Sequence, residues 1–408
     1  MVLPMQGIRV LEVAQFTFVP VAGAVLAEWG ADVIKVEHAE KGDAQRGLLT
    51  VLGLAGASEG SSFVPIMEGP NRGKRSIGLA LEKPEGRATL LEMAKECDVF
   101  LTNFTPSARE KLGITLEDIR AVNPNIIYTV GSAFGPLGPD ARKGGYDGSA
   151  FWARGGSAEG ATPADSPFLV NQPGGAYGDN VGGLTIAGAI VTALFHRDRT
   201  GEATTVDVSL LGMGAWATQF NINLAMMVGG HLPKGPMKRE GGNPLTHTYE
   251  TQDGRWITLM MLQPAAYWAE TCKTLGLPEL IDDPRFGSSE QIMANAEEAK
   301  RLFQAHFSTK TFEEWGTILH ELNGQWAPVQ DGWDMASDPD LIANGQIQEV
   351  VDADGAPRRL VTNPILFDKT PLPTTRAPQF AEHTDEILTE FGLSEEQILD
   401  LKIAGAVT

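Results

Sequence analysis

Apolar residues in the first half of the chain fall into short runs separated by stretches of helical period. Gly7 to Val13 (GIRVLEV) and Ala31 to Glu37 (ADVIKVE) have the length and content of buried strands. Between them, about Val19 to Trp29, the spacing predicts a helix. Such a βαβ unit joins parallel neighbours by a right-handed crossover. The pattern then repeats. Lys74 to Leu81 is strand-like, and Pro84 to Asp98 is an amphipathic helix with Leu90, Leu91 and Ala94 on one face. Val99 to Phe104 is a strand, Ser107 to Gly113 and Thr115 to Asn123 are short helices, and Ile126 to Gly131 is a further strand. This alternation predicts an α/β protein with an open, doubly wound parallel sheet.

The stretch Gly174 to Leu211 breaks the rhythm. Asp179 sits in a glycine-rich turn, followed by a small apolar helical run from Leu184 to Phe195. A polar turn, His196 to Glu202, leads to an alternating strand from Thr204 to Leu210. The N-terminal end of a helix carries free N–H groups and partial positive charge, which hold a carboxylate ionised. Two readings of Asp179 stand side by side. It is a helix cap, or it faces a ligand that Gly175, Gly178, Gly182 and Gly183 allow to come close.

Beyond Leu211 the texture changes. Trp216 to Val228 reads as a helix and Gly229 to Asn243 as a basic connector. Tyr249 to Leu259 reads as a hairpin around an Asp-Gly turn. Helices follow over Trp268 to Leu275, Ser289 to Phe307 and Thr311 to Leu322, and together these form a smaller α+β domain. A return segment starts at Ala327 to Gln330. The tail carries two helices, Glu382 to Phe391 and Ser394 to Ile403. The large domain is therefore placed at 1–211 and 346–408 and the small one at 244–322, with linkers at 212–243 and 323–345. Asp43 to Pro70 and Gly135 to Pro173 are long irregular stretches, read as loops over a ligand or partner or as plain disorder.

Composition narrows the function. The 408 residues carry a net charge of −20, which argues against nucleic acid and anionic membranes as partners. Two distant cysteines, Cys97 and Cys272, fit neither a disulfide framework nor a zinc site. The seven histidines lack metal-ligand spacing, so no metal is expected. With no stretch of about 18 apolar residues and no secretory leader pattern, a cytoplasmic protein is the expectation. Gly212 to Ala217 matches a dinucleotide fingerprint but lacks the acidic residue that holds a ribose. Gly69 to Arg75 is one residue short of a phosphate loop. Basic islands at Asn71 to Arg75, Lys111, Lys143 and Lys234 to Arg239 are solvated loop charges or, together, a means of neutralising phosphates at strand ends.

The ordered motifs point further. GIRVLEVAQFTFVPVAGAVLAEWGADVIKVE (Gly7 to Glu37), NRGKRSIGLAL (Asn71 to Leu81) and TNFTPSAREKLG (Thr102 to Gly113) come in sequence. NPNIIYTVGSAFGPLGP, GGYDGSAFWARGG, GDNVGGLTIAGAIVTAL, RTGEATTVDVSLL and EHTDEIL follow them. Over essentially its whole length the chain resembles the class III CoA-transferases. That group includes formyl-CoA and carnitine CoA-transferases and is homologous to α-methylacyl-CoA racemase.

The resemblance implies a Rossmann-like large domain, a smaller domain, and an interlocked, ring-like homodimer. It implies transfer of CoA from an acyl-CoA to a carboxylic acid, with no prosthetic group and the CoA thioester as substrate. Asp179 matches the family's nucleophile, Tyr146 and Asp147 an aromatic–acid pair beside it, and Gly241 and Gly242 a mobile covering loop. Thr17, His38, Leu79, Asn103 and Lys111 match positions that contact CoA. Formyl-CoA transferase has glutamine and arginine at the positions of Thr17 and His38, which speaks against formate-type specificity here. The alternative, a racemase, needs a histidine and a glutamate where this chain has Tyr146 and Gln263, poor groups for proton abstraction near neutrality. Phe16, Phe18, Phe151 and Trp152 suggest an acceptor larger than formate or oxalate, or are simply core.

Overall fold

The computed structural model describes residues 3–48, 62–236 and 241–408. Two compact units emerge. One comprises Met1–Thr162, Pro167–Pro233 and Pro339–Thr408, the other Pro163–Ser166 and Lys234–Asp338.

In the larger unit the chain runs β1 (Arg9–Val13), α1 (Phe18–Glu28), β2 (Asp32–His38), α2 (Pro65–Asn71), β3 (Arg75–Leu79), α3 (Pro84–Ala94) and β4 (Val99–Thr102). It continues through α4 (Pro106–Leu112), α5 (Leu116–Val122), β5 (Ile127–Ser132), α6 (Ser157–Ala161), α7 (Tyr177–Thr200), β6 (Thr205–Ser209), α8 (Leu210–Ala217) and α9 (Gln219–Val228). The six strands form one sheet in the order β3-β2-β1-β4-β5-β6, with every pair parallel. Successive strand residues point to opposite faces, and each face has its own core. Val10 and Ala14 join Val19, Ala22 and Leu26 of α1 and Ile186, Ala187 and Ile190 of α7. Leu11 and Val13 join Leu90 and Met93 of α3 and Ile119 of α5.

The smaller unit holds β7 (Thr248–Glu250), β8 (Trp256–Leu259), α10 (Pro264–Leu275), α11 (Ser289–Ala294), α12 (Ala296–Phe307), α13 (Phe312–Leu319), β9 (Trp326–Pro328) and α14 (Gly332–Met335). Its antiparallel sheet, β7-β8-β9, packs over an aromatic core of Tyr249, Trp268, Phe303, Phe307 and Trp315. The chain then re-enters the larger unit as α15 (Pro339–Ala343), the hairpin β10 (Ile347–Val351) and β11 (Pro357–Val361), α16 (Thr384–Glu390) and α17 (Glu395–Ile403).

Several sequence expectations need correction. The stretch Asp43 to Pro70 holds a 3-10 turn at Ala44–Gly47 and the start of α2, and its part at 49–61 lies outside the described residues. Gly135 to Pro173 holds a π-helical turn, Gly148–Ala153, and α6. The helix expected over Trp216 to Val228 is two helices meeting at Thr218, and that over Ser289 to Phe307 breaks at Asn295. The return at Ala327 is strand β9 of the smaller unit, because it completes that unit's sheet.

The largest correction concerns α7. It starts at Tyr177, runs through the expected polar turn at His196, and ends at Thr200 before Gly201 in the left-handed region. It is long and apolar enough to cross a membrane by composition, contrary to the sequence reading, yet half of its most apolar window is buried inside the protein. Its glycines do not clear space for a ligand. A Cβ on Gly182 would lie 2.3 Å from the Phe18 ring, one on Gly183 2.6 Å from Val21, and one on Gly178 2.5 Å from Phe151. Gly182 and Gly183 let α7 and α1 lie almost backbone to backbone, and Gly178 lets α7 close on Phe151.

The α1-facing side of β1 and β2 also carries charge. Glu12, Lys35 and Lys74 are fully buried and Glu37 and Asp43 nearly so. Lys74 Nζ lies 2.7 Å from Glu12, Lys35 Nζ 2.8 Å from Asp43 and 3.5 Å from Glu12, and Arg46 2.7 Å from Glu37. Three carboxylates meet three basic side chains, and burial, with the Lys35 charge adding to it against Glu12, pulls the Lys74 ammonium down to about 7. Gly23 on α1 makes the room: a Cβ there would sit 1.9 Å from Glu12 Oε2. The basic island at Asn71 to Arg75 is therefore structural, with Lys74 in this cluster, Arg72 on Glu28 and Arg75 on Asp32.

Candidate active site

In a parallel sheet of this order the strands on either side of the β1/β4 boundary send their connections to opposite faces. A crevice opens there at the carboxyl ends. The cavity of about 540 Å³ found at that place is lined by Gln15 and Phe16 after β1, by Asn103 to Pro106 after β4, and by Ser132, Ala133 and Gly135 after β5. Tyr146, Asp179, Asp207 and the cations Arg109, Arg142 and Lys143 also line it.

Asp179 occupies the first turn of α7, within the helix and not in a turn before it. The cap position is Ala176, held in the left-handed region at φ 60. The cap reading of Asp179 is thereby excluded, and among the described residues no hydrogen bond holds its carboxylate. Burial, and secondarily the nearby Asp147 carboxylate, push the Asp179 carboxyl up to about 7. Asp147 is buried, and it accepts from the Gly148 N–H at 2.7 Å and from Gln172 Nε2 at 3.1 Å. Two carboxylates thus face each other, one tied and one free.

Tyr146 stands 63% exposed and meets the Phe16 ring edge-on at 5.5 Å. Phe16 is itself in the left-handed region, at φ 63. Such outliers cluster where a fold fixes a site at the expense of local strain. On the far wall Arg142 is bidentate to Glu110 and Lys143 pairs with Asp140. Arg109 donates to the Tyr128 hydroxyl at 3.3 Å, keeps a buried Nε without a partner, and has no carboxylate at ion-pair distance among the described residues. Burial pushes the Asp207 carboxyl up, and the Arg109 charge opposes this.

The residues assigned by resemblance separate into groups. Asp179, Tyr146 and Asn103 share the cavity, and Asp147 acts on Asp179. Asn103 also clamps the neighbouring turn, accepting from the Gln15 N–H at 3.1 Å and donating to its carbonyl at 2.6 Å. Thr17 is buried and donates to Gln45 at 3.1 Å. His38 accepts from the N–H of Glu40 at 3.1 Å and lies 3.3 Å from Glu82. Leu79 is a core residue of β3, and Lys111 is on α4 outside the cavity lining. Gly241 and Gly242 belong to the smaller unit with φ 69 and 83, and Glu297 accepts from the Gly241 N–H at 2.7 Å. Arg109 was not among the sequence candidates: on a short amphipathic helix it reads as a solvated charge, and only the tertiary fold turns it inward.

Comparison with known proteins agrees with this geometry. A family model described as CoA-transferase family III matches residues 5–384. A (R)-2-hydroxy-4-methylpentanoate CoA-transferase of Clostridioides difficile is 29% identical over 98% of each chain. A succinate–glutarate CoA-transferase of Agrobacterium fabrum is 31% identical over 95% of each. A solved CAIB/BAIF family protein from Brucella suis superposes with a TM-score of 0.83 at 27% identity, covering 96% of this chain and all of the other. A carboxylate freed from hydrogen bonds in a crevice, on a fold shared end to end with these proteins, leads to one conclusion: this chain belongs to CoA-transferase family III and is a CoA-transferase.

Proposed function

We propose that Asp179 is the nucleophile that carries CoA between acids. Its carboxylate oxygen attacks the thioester carbonyl of an acyl-CoA, the C–S bond breaks, and CoA thiolate leaves a mixed anhydride. The thiolate attacks the aspartyl carbonyl of that anhydride, which releases the donor acid and leaves an aspartyl-CoA thioester. An acceptor carboxylate then attacks this thioester, expelling thiolate and forming a second anhydride. Attack of the thiolate on the acceptor's acyl carbon gives the new acyl-CoA and regenerates Asp179.

The observation that carries this reading is the unpartnered Asp179 carboxylate, pushed up to about 7 beside Asp147. A carboxylate of raised basicity is a better nucleophile. Acylation also makes it neutral, relieving the repulsion from Asp147, so the free enzyme is destabilised relative to the covalent intermediates. Tyr146 positions the thioester. Arg109, with Asn103 beside it, takes an anionic group of CoA; Lys111 approaches from the rim. Thr17, His38 and Leu79 shape the CoA side of the fold from beneath. Phe16, Phe18 and Leu210 on the cavity wall favour an acceptor with an apolar body.

Two further parts belong to the same reading. Two chains interlock as rings into a homodimer, supported by the apolar surface of α8 and α9, where Trp216, Phe220 and Met227 are exposed. The enzyme works in the cytoplasm, in keeping with two free, buried cysteines. The test is chemical trapping. After incubation with an acyl-CoA, hydroxylamine or borohydride should modify Asp179, read by peptide mass spectrometry. Continued CoA transfer with Asp179 never modified would overturn the proposal.

A further inference from the structure

The turn between β1 and α1 forms one wall of the cavity that holds Asp179. It is held from several sides. The Ala14 carbonyl accepts from Lys35 Nζ at 3.1 Å, and Asn103 takes both the N–H and the carbonyl of Gln15. The Phe16 N–H donates to Asp43 Oδ1 at 3.1 Å. Asp43 is 1% exposed. Its Oδ1 also accepts from the Gln45 N–H at 2.9 Å, its other oxygen lies 2.8 Å from Lys35 Nζ, and its own N–H donates to Glu37 at 2.8 Å. Burial alone would push the Asp43 carboxyl up, but Lys35 together with the Gln45 and Phe16 N–H groups more than offsets this and holds it down, so it stays a charged, strong acceptor.

Phe16 needs that acceptor. A phenylalanine in the left-handed region is strained and persists only where surrounding structure fixes it. Released, the residue relaxes toward negative φ and swings its ring away from Tyr146, which it now meets at 5.5 Å. We propose that Asp43 is a positioning residue for the reaction at Asp179: it holds Phe16 in its left-handed conformation, so that the ring braces Tyr146 against the cavity. The inference rests on Asp179 as nucleophile. Its competitor is a purely structural role, in which Asp43 only neutralises the buried Lys35.

The two roles differ in what they couple. The experiment compares wild type, Asp43→Ala, Phe16→Gly and the double variant by the rate of Asp179 acylation, with kcat and donor KM measured separately. Glycine takes the left-handed backbone without strain but has no ring to place. Positioning predicts that Asp43→Ala slows acylation about 10- to 100-fold, the range of a small misplacement at a reacting centre, with donor KM within about threefold. Phe16→Gly should slow it comparably, and the double variant should lose no more than about twofold beyond the slower single change. Asp43→Asn keeps an acceptor for the Phe16 N–H and should recover most of the rate. Wild-type acylation in Asp43→Ala, or losses that multiply in the double variant, would overturn the inference. Should Asp43→Ala fail to fold, Phe16→Gly decides: acylation at the wild-type rate there overturns it equally. A wild-type enzyme whose Asp179 is never modified would instead refute the nucleophile reading itself.

Discussion

Two groups of carboxylates lie in the same domain on either side of the β1–α1 turn, and the fold treats them in opposite ways. Glu12, Glu37 and Asp43 are buried with Lys35, Lys74 and Arg46, charge for charge. Asp147 and Asp179 are placed together with no cation on Asp179 among the described residues. In the first group every carboxylate has a basic partner and the groups act as framework. In the second, repulsion is left standing and stored in the free enzyme. Placing a charge out of water costs free energy in both cases; what separates structure from chemistry is whether a neighbour offsets it.

The sharpest way to break this contrast is to remove the reactive group. Asp179→Ala should lower CoA transfer by at least about 10³-fold, since a covalent route has no substitute oxygen; steady-state exchange between an acyl-CoA and a free acid measures it. Next comes stability. Glu12→Gln leaves Lys74 and Lys35 underpaired in the core and should cost about 3–5 kcal/mol in denaturant unfolding. Asp179→Asn should do the reverse. Its folded carboxyl stands at about 7 against an ordinary 3.8, so the protein gives up stability as pH rises through that interval. The amide avoids this, and at pH 8 it should gain about 1–2 kcal/mol, after allowing for partial exposure. The gain should vanish below the ordinary carboxylate range, as melting curves across pH will read. The smallest effect is on the pH–rate profile. Acylation requires ionised Asp179, so the wild-type rate should rise with pH through about 7. Asp147→Asn removes the secondary cause of the shift and should move that limb modestly to lower pH; an unmoved limb would mean burial alone sets it.

How far each region could be read in the sequence follows the same division. Parallel strands buried on both faces leave continuous apolar runs, so β1 to β5 and the helices α1, α4 and α5 were legible within a residue or two, whereas α3 stops four residues short of its expected end and α2 lies in a stretch expected to be irregular. The buried charge cluster was written there as well, in a code easily missed. Glu12, Lys35 and Glu37 share one face of otherwise apolar strands, and Gly23 is the hole opposite them. Read one residue at a time, these are ordinary strand charges and a weak helix position. The start of α7 was obscured for a related reason. Glycine lowers intrinsic helix propensity, so GGAYGDNVGG reads as a turn, and the contacts with Phe18, Val21 and Phe151 accompany the helical state of Gly178, Gly182 and Gly183. Of the site, the resemblance located Asp179, Tyr146 and Asn103 in the cavity. It could not reveal that Thr17 and His38 spend their polar groups on neighbours within the fold, nor that Arg109 points inward, because both depend on how distant loops meet.

The glycine seam between α7 and α1 has one more consequence. A helix whose backbone lies against its neighbour cannot slide or roll without collision, so Asp179 rides on one of the least adjustable parts of the protein. The surfaces that meet an acid come instead from the turns after β1, β4 and β5, whose side chains can change with little disturbance to that seam. Such a division lets the lining of the crevice drift among descendants of one ancestral chain while the Asp179 carboxylate stays where it is.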